Sequence, residues 1–455
     1  MRKASVSSRG TRWMLLLALA LAGHARAQTD YLFPPSLLMP NYDRVYPGLT
    51  ESLEGGAYVA RARQAPALFY NPAGIATVDR TVLNASAQGY QLTTLGGTGF
   101  DHTSPVSSFE ALPGFLGVVL GREVIDWENV RLGFAVVQPV HWSASANAGS
   151  TPEPGQRVNY SVKSDIDTLV PTFSIGWAAS PKLRLGGSLE FPYTTINNTG
   201  ALSGEITTAT TSQGTLRTLS AGGSTLQLRG VFGVQWDLTS WMSLGATFRT
   251  PGLKIKDGGS FQYQGLTNLN TGTRQIFFQD PSADFEYRIP LEAALGAAFQ
   301  FGPFGFEVDV RFHDGTKSYQ LFTSQQTARV TDTTTGAPVI TQLAFPGITY
   351  RARQVWNGNL GVHLDLSKTF SISAGAYLDY SPVDLPNSGF RKVDVVGFRT
   401  GVSFVLGKLS ASVGLGWEHG TGNDDLFPSN VPIPGEAATL SLNTFSLLFS
   451  VSFGF

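Results

Sequence analysis

Histidine and serine are the residue types in this chain that could do covalent chemistry. His102, His141, His313, His363 and His419 could each serve as general base to a serine nucleophile, the pairing a lipid hydrolase would use. None of them stands with a serine in a motif of mechanical content, so the sequence points away from an enzyme. There is no Cys among the 455 residues, which excludes a disulfide framework, a thiolate metal centre and a Cys nucleophile. No metal or cofactor is expected, and no nucleotide motif is present. The other chemistry-bearing residues are charges of both signs spaced at even intervals. They are Arg184, Glu190, Arg229, Asp237, Arg288, Glu292, Glu307, Asp309, Arg311, Asp365, Asp379, Arg399 and Glu418. All are read on one parity of alternating apolar/polar stretches. A lone charge in a dry interior is very costly, so these must pair or be hydrated. Mixed signs argue against an ion filter, which would show rings of one sign. They fit a lumen filled by something hydrogen-bonded to its wall.

The elements that would position them are β-strands. The terminal stretch SLNTFSLLFSVSFGF, from Ser441 to Phe455, places Phe445, Leu447, Phe449, Val451, Phe453 and Phe455 on one parity. Ser446, Ser450, Ser452 and Gly454 occupy the other, with Leu448 the one bulky intruder. A period of two over this length is a strand with one apolar face. A soluble sandwich strand is the alternative. If the strand faces lipid, both its edges must be paired, so the rest of the chain must close a barrel. The pattern recurs near 81–93, 114–122, 131–142, 166–179, 182–195, 225–238, 241–260, 284–300, 303–320, 350–366, 369–381, 392–406, 408–419 and 440–455. That predicts an all-β, antiparallel, up-and-down transmembrane barrel of about fourteen strands. An even number leaves both termini on one side.

Connections alternate between tight turns and long polar stretches. The turns are Ser180-Pro181, Thr239-Ser240, Gly302-Pro303, Ser367-Lys368 and Gly407. The stretches are 143–165, 196–224, 261–283, 315–349 and 420–439. Such sorting predicts periplasmic turns and extracellular loops. Trp142, Trp177, Trp236, Trp241 and Trp417 stand at strand ends and fit an interfacial girdle.

Composition agrees. Charged residues are 14%, against roughly 25% in soluble proteins. There are 51 Gly and 30 Phe, and the net charge of −1 suggests no nucleic-acid partner. Residues 1–27 read as a secretory signal peptide: Arg2, Lys3, Arg9 and Arg12, an apolar run from Trp13 to Ala22, and Ala25-Arg26-Ala27. The apolar run is too short for a spanning helix. An exported, Cys-free, helix-poor chain implies a Gram-negative envelope protein. Residues 28–80 carry Pro34, Pro35, Pro40, Pro47, Pro66 and Pro72, and also Tyr58, Leu68, Phe69 and Tyr70, which want burial. They read as a compact N-terminal plug, with 81–455 as the barrel. A plugged barrel stops free diffusion and implies specific transport through a site between plug and wall.

Gly55-Gly56-Ala57, Phe69-Tyr70-Asn71-Pro72-Ala73-Gly74-Ile75-Ala76, Leu244 to Pro251, Ile289-Pro290-Leu291-Glu292 and Tyr380-Ser381-Pro382-Val383 resemble the FadL/TodX family over essentially the whole mature chain. The resemblance implies outer-membrane uptake of long-chain fatty acids or aromatic hydrocarbons. It also implies fourteen strands, an N-terminal hatch and lateral release into the bilayer. Asn71, Pro72 and Ala73 match the hatch motif; an ordinary Asn-Pro turn is the other reading. Pro139 removes a ladder donor and either kinks the wall beside the hatch or marks a strand end. A fatty acid needs a cation for its carboxylate. Arg249, Arg351 and Arg353 are the candidates, each with a second reading as a wall ion pair, and an uncharged hydrocarbon needs none. The expected partners are the outer-membrane bilayer and a hydrophobic small molecule, with the protein a monomer. A rival reading is a structural or receptor barrel whose long loops bind surface partners.

Overall fold

The computed structural model describes residues 37–42, 46–97, 102–103, 106–108, 112–151, 154–208, 212–384, 390–423 and 439–455. Residues 1–27, read above as a signal peptide, lie outside these. Fourteen antiparallel strands close a barrel. They are β1 (Val82–Gly97), β2 (Leu112–Leu120), β3 (Val130–Ser150), β4 (Gln156–Ala178), β5 (Leu183–Glu190, continued by Tyr193–Thr207), β6 (Ser212–Asp237) and β7 (Met242–Arg249, continued by Leu253–Leu269). Then come β8 (Gly272–Phe285 and Glu292–Phe301), β9 (Phe304–His313 and Thr316–Thr323, with an outer piece Thr327–Asp332) and β10 (Val339–Ala344, Ile348–Ala352 and Val355–Ser367). β11 (Phe370–Asp379), β12 (Asp394–Leu406), β13 (Leu409–Asn423) and β14 (Thr439–Gly454) complete the wall. Closure is made by β1 against β14, from Val82↔Gly454 to Gly97↔Leu440.

The terminal strand sits as its alternation requires. Phe445, Phe449, Val451, Phe453 and Phe455 face outward, while Ser446, Ser450 and Ser452 are buried. Leu448, the bulky intruder, points into the lumen at 3% exposure. On β6, Phe232, Val234 and Trp236 are exposed and Gln235 is fully enclosed. An apolar band on the outside with small and polar groups inside is the pattern of a wall in lipid.

Three sequence expectations change. The long polar stretches are largely strand, not irregular loop. β3 and β4 pair as far as Ser150↔Val158, and β5 and β6 as far as Thr207↔Ser212. At about 3.4 Å per residue, the 26 residues of β6 run about 88 Å. A tilt of about 40° makes this roughly 65 Å of height, far more than the ~25 Å apolar band of such barrels. Above that band the two faces exchange character: Ile196, Leu202, Leu219, Phe261, Tyr263, Ile276 and Phe278 point inward and are buried. Trp142 is correspondingly not a girdle residue. It is 8% exposed and packs in this inner apolar core, whereas Trp177, Trp236, Trp241 and Trp417 are exposed. Arg288 and Asp365, read as lumenal, are exposed. Arg288 lies at the break within β8, over the Tyr319 ring, and Asp365 lies at the short-turn end of β10.

Inside the lower half lies the N-terminal segment. Among its described residues, Leu37–Leu38 pair in parallel with Phe390–Arg391, and the helical part is one turn, α1 (Ala67–Tyr70), followed directly by a 3-10 helix, Pro72–Thr77, that begins on a proline. Pro66 and Pro72 supply pre-set φ angles at these helix starts.

Candidate functional site

Asn71 stands where the segment meets the wall. It is fully enclosed, and its Nδ2 donates to the Val59 carbonyl at 2.8 Å and to the Val234 carbonyl of β6 at 2.9 Å. Its Oδ1 accepts from the Ala73 amide at 3.2 Å. The approach requires Gly233 in the wall: a Cβ there would come within 2.2 Å of Asn71 Oδ1. Pro72 and Ala73 follow against β5, over Gly186.

The lumenal charges cap this segment's backbone. Asp309 Oδ2 accepts from the amides of Tyr58 and Val59 at 2.8 and 3.1 Å, and Glu307 Oε1 from Ala60 at 2.6 Å. Arg61 bridges Glu54 and Glu307 and lies 2.9 Å from His363 Nδ1. Arg311 donates to the Gly56 carbonyl, and Asn359 to Gly55. Burial pushes the Glu54 carboxyl up, but Arg61 and His363 outweigh it and hold the group below its ordinary value. For Glu51 the pull of Arg61 is weaker than burial. Burial and the neighbouring Glu54 push it up to about 7, against the opposing pull of its own backbone amide.

Above this floor lies a cavity of about 70 Å³. Phe69 and Tyr42 of the segment form one side. Pro139, Val140, Val170, Pro192, Ile289 and Pro290 supply apolar wall, and Glu190, Arg229, Arg249 and Glu292 supply charge. Tyr42 stacks on His313 with ring centroids 4.5 Å apart. Over it extends the buried aromatic core of the tall hairpins.

Pro139 lies on the cavity rim, at a fault in the wall. The β3–β4 register shifts between Val137 and Val140. On the other side the β2–β3 ladder ends at Phe115↔Val137. Among the described residues β3 regains a partner only at Ala148 and Gly149, opposite Thr103 and His102. A proline has no amide to offer a ladder, and here the ladder stops.

Of the three candidate cations, only Arg249 reaches the cavity. It is bonded to Glu292 and to the Phe69 carbonyl, and its Nε is 3.4 Å from Glu190. Arg351 and Arg353 lie elsewhere, on β10 and in the break between its Ile348–Ala352 and Val355–Ser367 pieces. Arg351 pairs with Asp384 at 2.8 Å and Arg353 with Asp394 at 3.3 Å. Sequence reasoning placed Glu190, Arg229 and Glu292 inside the barrel without bringing them to one site. For Glu190 and Glu292 the available signal was their position two residues from the strand-interrupting prolines Pro192 and Pro290, as Arg249 is from Pro251; Arg229 has no such neighbour in the sequence. Among the described residues no group of three or more His, Asp or Glu could hold a metal ion.

No family model and no curated protein sequence matches the chain. Solved structures do. The Pseudomonas putida toluene transporter TodX aligns over 90% of this chain and 99% of its own, with TM-score 0.61 and 15% identity. The Ralstonia pickettii toluene transporter TbuX covers 90% and 99%, at 0.54 and 13%. A Pseudomonas aeruginosa FadL homologue covers 91% and 99%, at 0.53 and 13%.

The chain has the FadL/TodX barrel fold. Within that fold, the Asn71–Ala73 turn seats on the wall of β5 and β6, and the Pro139 fault opens beside the cavity.

Proposed function

We propose that this chain is an outer-membrane transporter for passive uptake of hydrophobic compounds, long-chain fatty acids among them, with lateral release through the wall. One observation carries this reading. An apolar interior occupies the tall outer half and leads to a cavity whose rim is Pro139, where β3 lacks its β2 partner. An oily molecule entering from the tall end meets the apolar cluster of Ile196, Leu219, Phe261 and Phe278. Below the cavity, the N-terminal segment, bonded to Val234, Glu307 and Asp309, acts as a hatch against water-filled passage. The solved structures that share the fold are transporters and channels, which supports a non-enzymatic role. Residues 1–27 would direct export, and the chain acts as a monomer in the outer membrane. A receptor barrel would need a lumen without an apolar cavity, and the pocket under Pro139 stands against it.

The test is uptake of labelled oleate and of toluene by a strain deleted for the gene, against the complemented strain. Reduced uptake of either supports the reading. Unchanged uptake of both removes it.

A further inference from the structure

Where β3 passes the cavity it is held on one side only. Among the described residues, Gln138 to Asn147 have no ladder partner toward β2; pairing stops at Phe115↔Val137 and returns at Thr103↔Ala148. The position of this margin therefore depends on β4. The β3–β4 ladder itself carries an extra residue here. Val137 pairs with Val170 and Val140 with Thr168, leaving Gln138 and Pro139 opposite Leu169. Val137 and Val140 are both buried, so this bulge is what returns Val140 to the interior, where it lines the cavity. A bulge displaced by one residue would turn Val140 and Trp142 outward and His141 inward. Pro139 cannot fix the bulge with a backbone bond of its own, having no amide hydrogen.

One carboxylate on β4 spans the bulge. Asp167 Oδ1 accepts from Gln138 Nε2 at 2.9 Å and from His141 Nδ1 at 2.6 Å, one donor from each side of Pro139. Further along, Asp165 Oδ1 accepts from the Ser143 hydroxyl at 2.7 Å. β4 is a fixed post for these bonds, because on its inner face Thr168 and Thr194 tie it to β5 through hydroxyls 2.9 Å apart. We infer that Asp167 is a positioning residue for the exit. Its carboxylate pins the bulge at Pro139 to β4, and so fixes where β3 parts from β2 and which side chains of β3 face the cavity. The inference rests on the transporter reading, lateral release included. Asp167 acts through Pro139 and Val140, which line the cavity on the other side of the wall. What the bulge needs from it is an acceptor oxygen held at one place, since both donors bring their own hydrogens. The Asp167 side chain is 43% exposed, so its removal leaves the stability of the barrel nearly unchanged while freeing the margin of β3.

Two readouts test this. The first is uptake of labelled oleate or toluene, whichever the unmodified protein restores to the deletion strain. Asp167→Ala should slow it at least threefold with an unchanged unfolding midpoint. Asp167→Asn keeps an acceptor for both donors and should recover most of the rate. Gln138→Leu removes one bond from the other side, and should slow uptake no further when combined with Asp167→Ala. The second readout reports the bulge directly. The chain has no Cys, so Val140→Cys supplies a single thiol, shielded inside the wall. Its labelling by a bulky maleimide in detergent should rise at least threefold when Asp167→Ala is added, and stay low with Asp167→Asn. Unchanged labelling and uptake in Asp167→Ala overturn the inference, as does an Asp167→Asn variant as impaired as Asp167→Ala. If Asp167→Ala fails to fold, Gln138→Leu decides by the same two readouts. Neutral variants in a strain whose uptake is intact sink only the role of Asp167. Uptake absent even from the complemented strain sinks the transporter reading, and the exit role with it.

Discussion

Asn71 couples three backbones through one side chain, which makes it the residue whose loss is most informative. Asn71→Ala leaves the Val59 and Val234 carbonyls without this donor in a water-poor interior. The cost of such orphaned groups is about 1–3 kcal/mol. Expected outcomes are a lower unfolding midpoint and measurable leak of small sugars in liposome swelling. Gly233→Ala should reproduce the leak without touching Asn71, because its Cβ would stand 2.2 Å from Asn71 Oδ1. A tight liposome with both variants would detach this contact from sealing. Glu51 supplies a pH dependence. Its carboxyl ordinarily titrates near 4.5 and inside the barrel at about 7, so the seated segment binds the proton more tightly than the released one. The resulting stability is fully present below pH 4.5 and is lost as pH rises through 7. A shift of that size corresponds to about 3 kcal/mol. Protease susceptibility of the segment should therefore rise between pH 5 and 8, and Glu51→Gln should flatten the profile.

At the scale of elements, β3 is the strand that departs from a regular wall. Pro139 offers no donor, and the β2 ladder stops two residues before it. Restoring an N–H with Pro139→Ala favours continued pairing and closure of the fault. Toluene uptake should fall severalfold while the unfolding midpoint stays the same or rises. Uptake equal to that of the unmodified protein would separate the fault from the exit route. The same scale shows where reading by alternation failed. Stretches 196–224 and 261–283 look like loops because Thr, Ser, Gly and Gln dominate them. Yet they keep the parity of the strands below, with Ile196, Leu219, Phe261 and Phe278 as sparse inward anchors. The Trp142 ring stands on the same inward parity as Val140, so a strand-end position said less about its side than its parity did.

For the whole molecule, the exchange of faces between the two halves of the wall is the central property. It is testable with a matched pair of charges. Phe232→Arg, on a residue 61% exposed in the apolar band, should cost about 2–4 kcal/mol in bilayer refolding. Leu216→Arg, 46% exposed on the tall part of the same strand, should change stability by no more than about 0.5 kcal/mol. Equal penalties would mean that the tall half is immersed too. The strand number, the barrel and the outward phenylalanines were legible in the chain, because a two-residue period is a local property of backbone geometry and every strand repeats it. The Asn71-Pro72-Ala73 turn was legible as a motif. Its seat on Val234, 163 positions away, was decided by tertiary structure. So was the meeting of Glu190, Arg229, Arg249 and Glu292, which come from four strands in register. Closure of the ring sets which distant charges share a dry space, and their mutual neutralisation is a long-range electrostatic fact that no window of sequence contains.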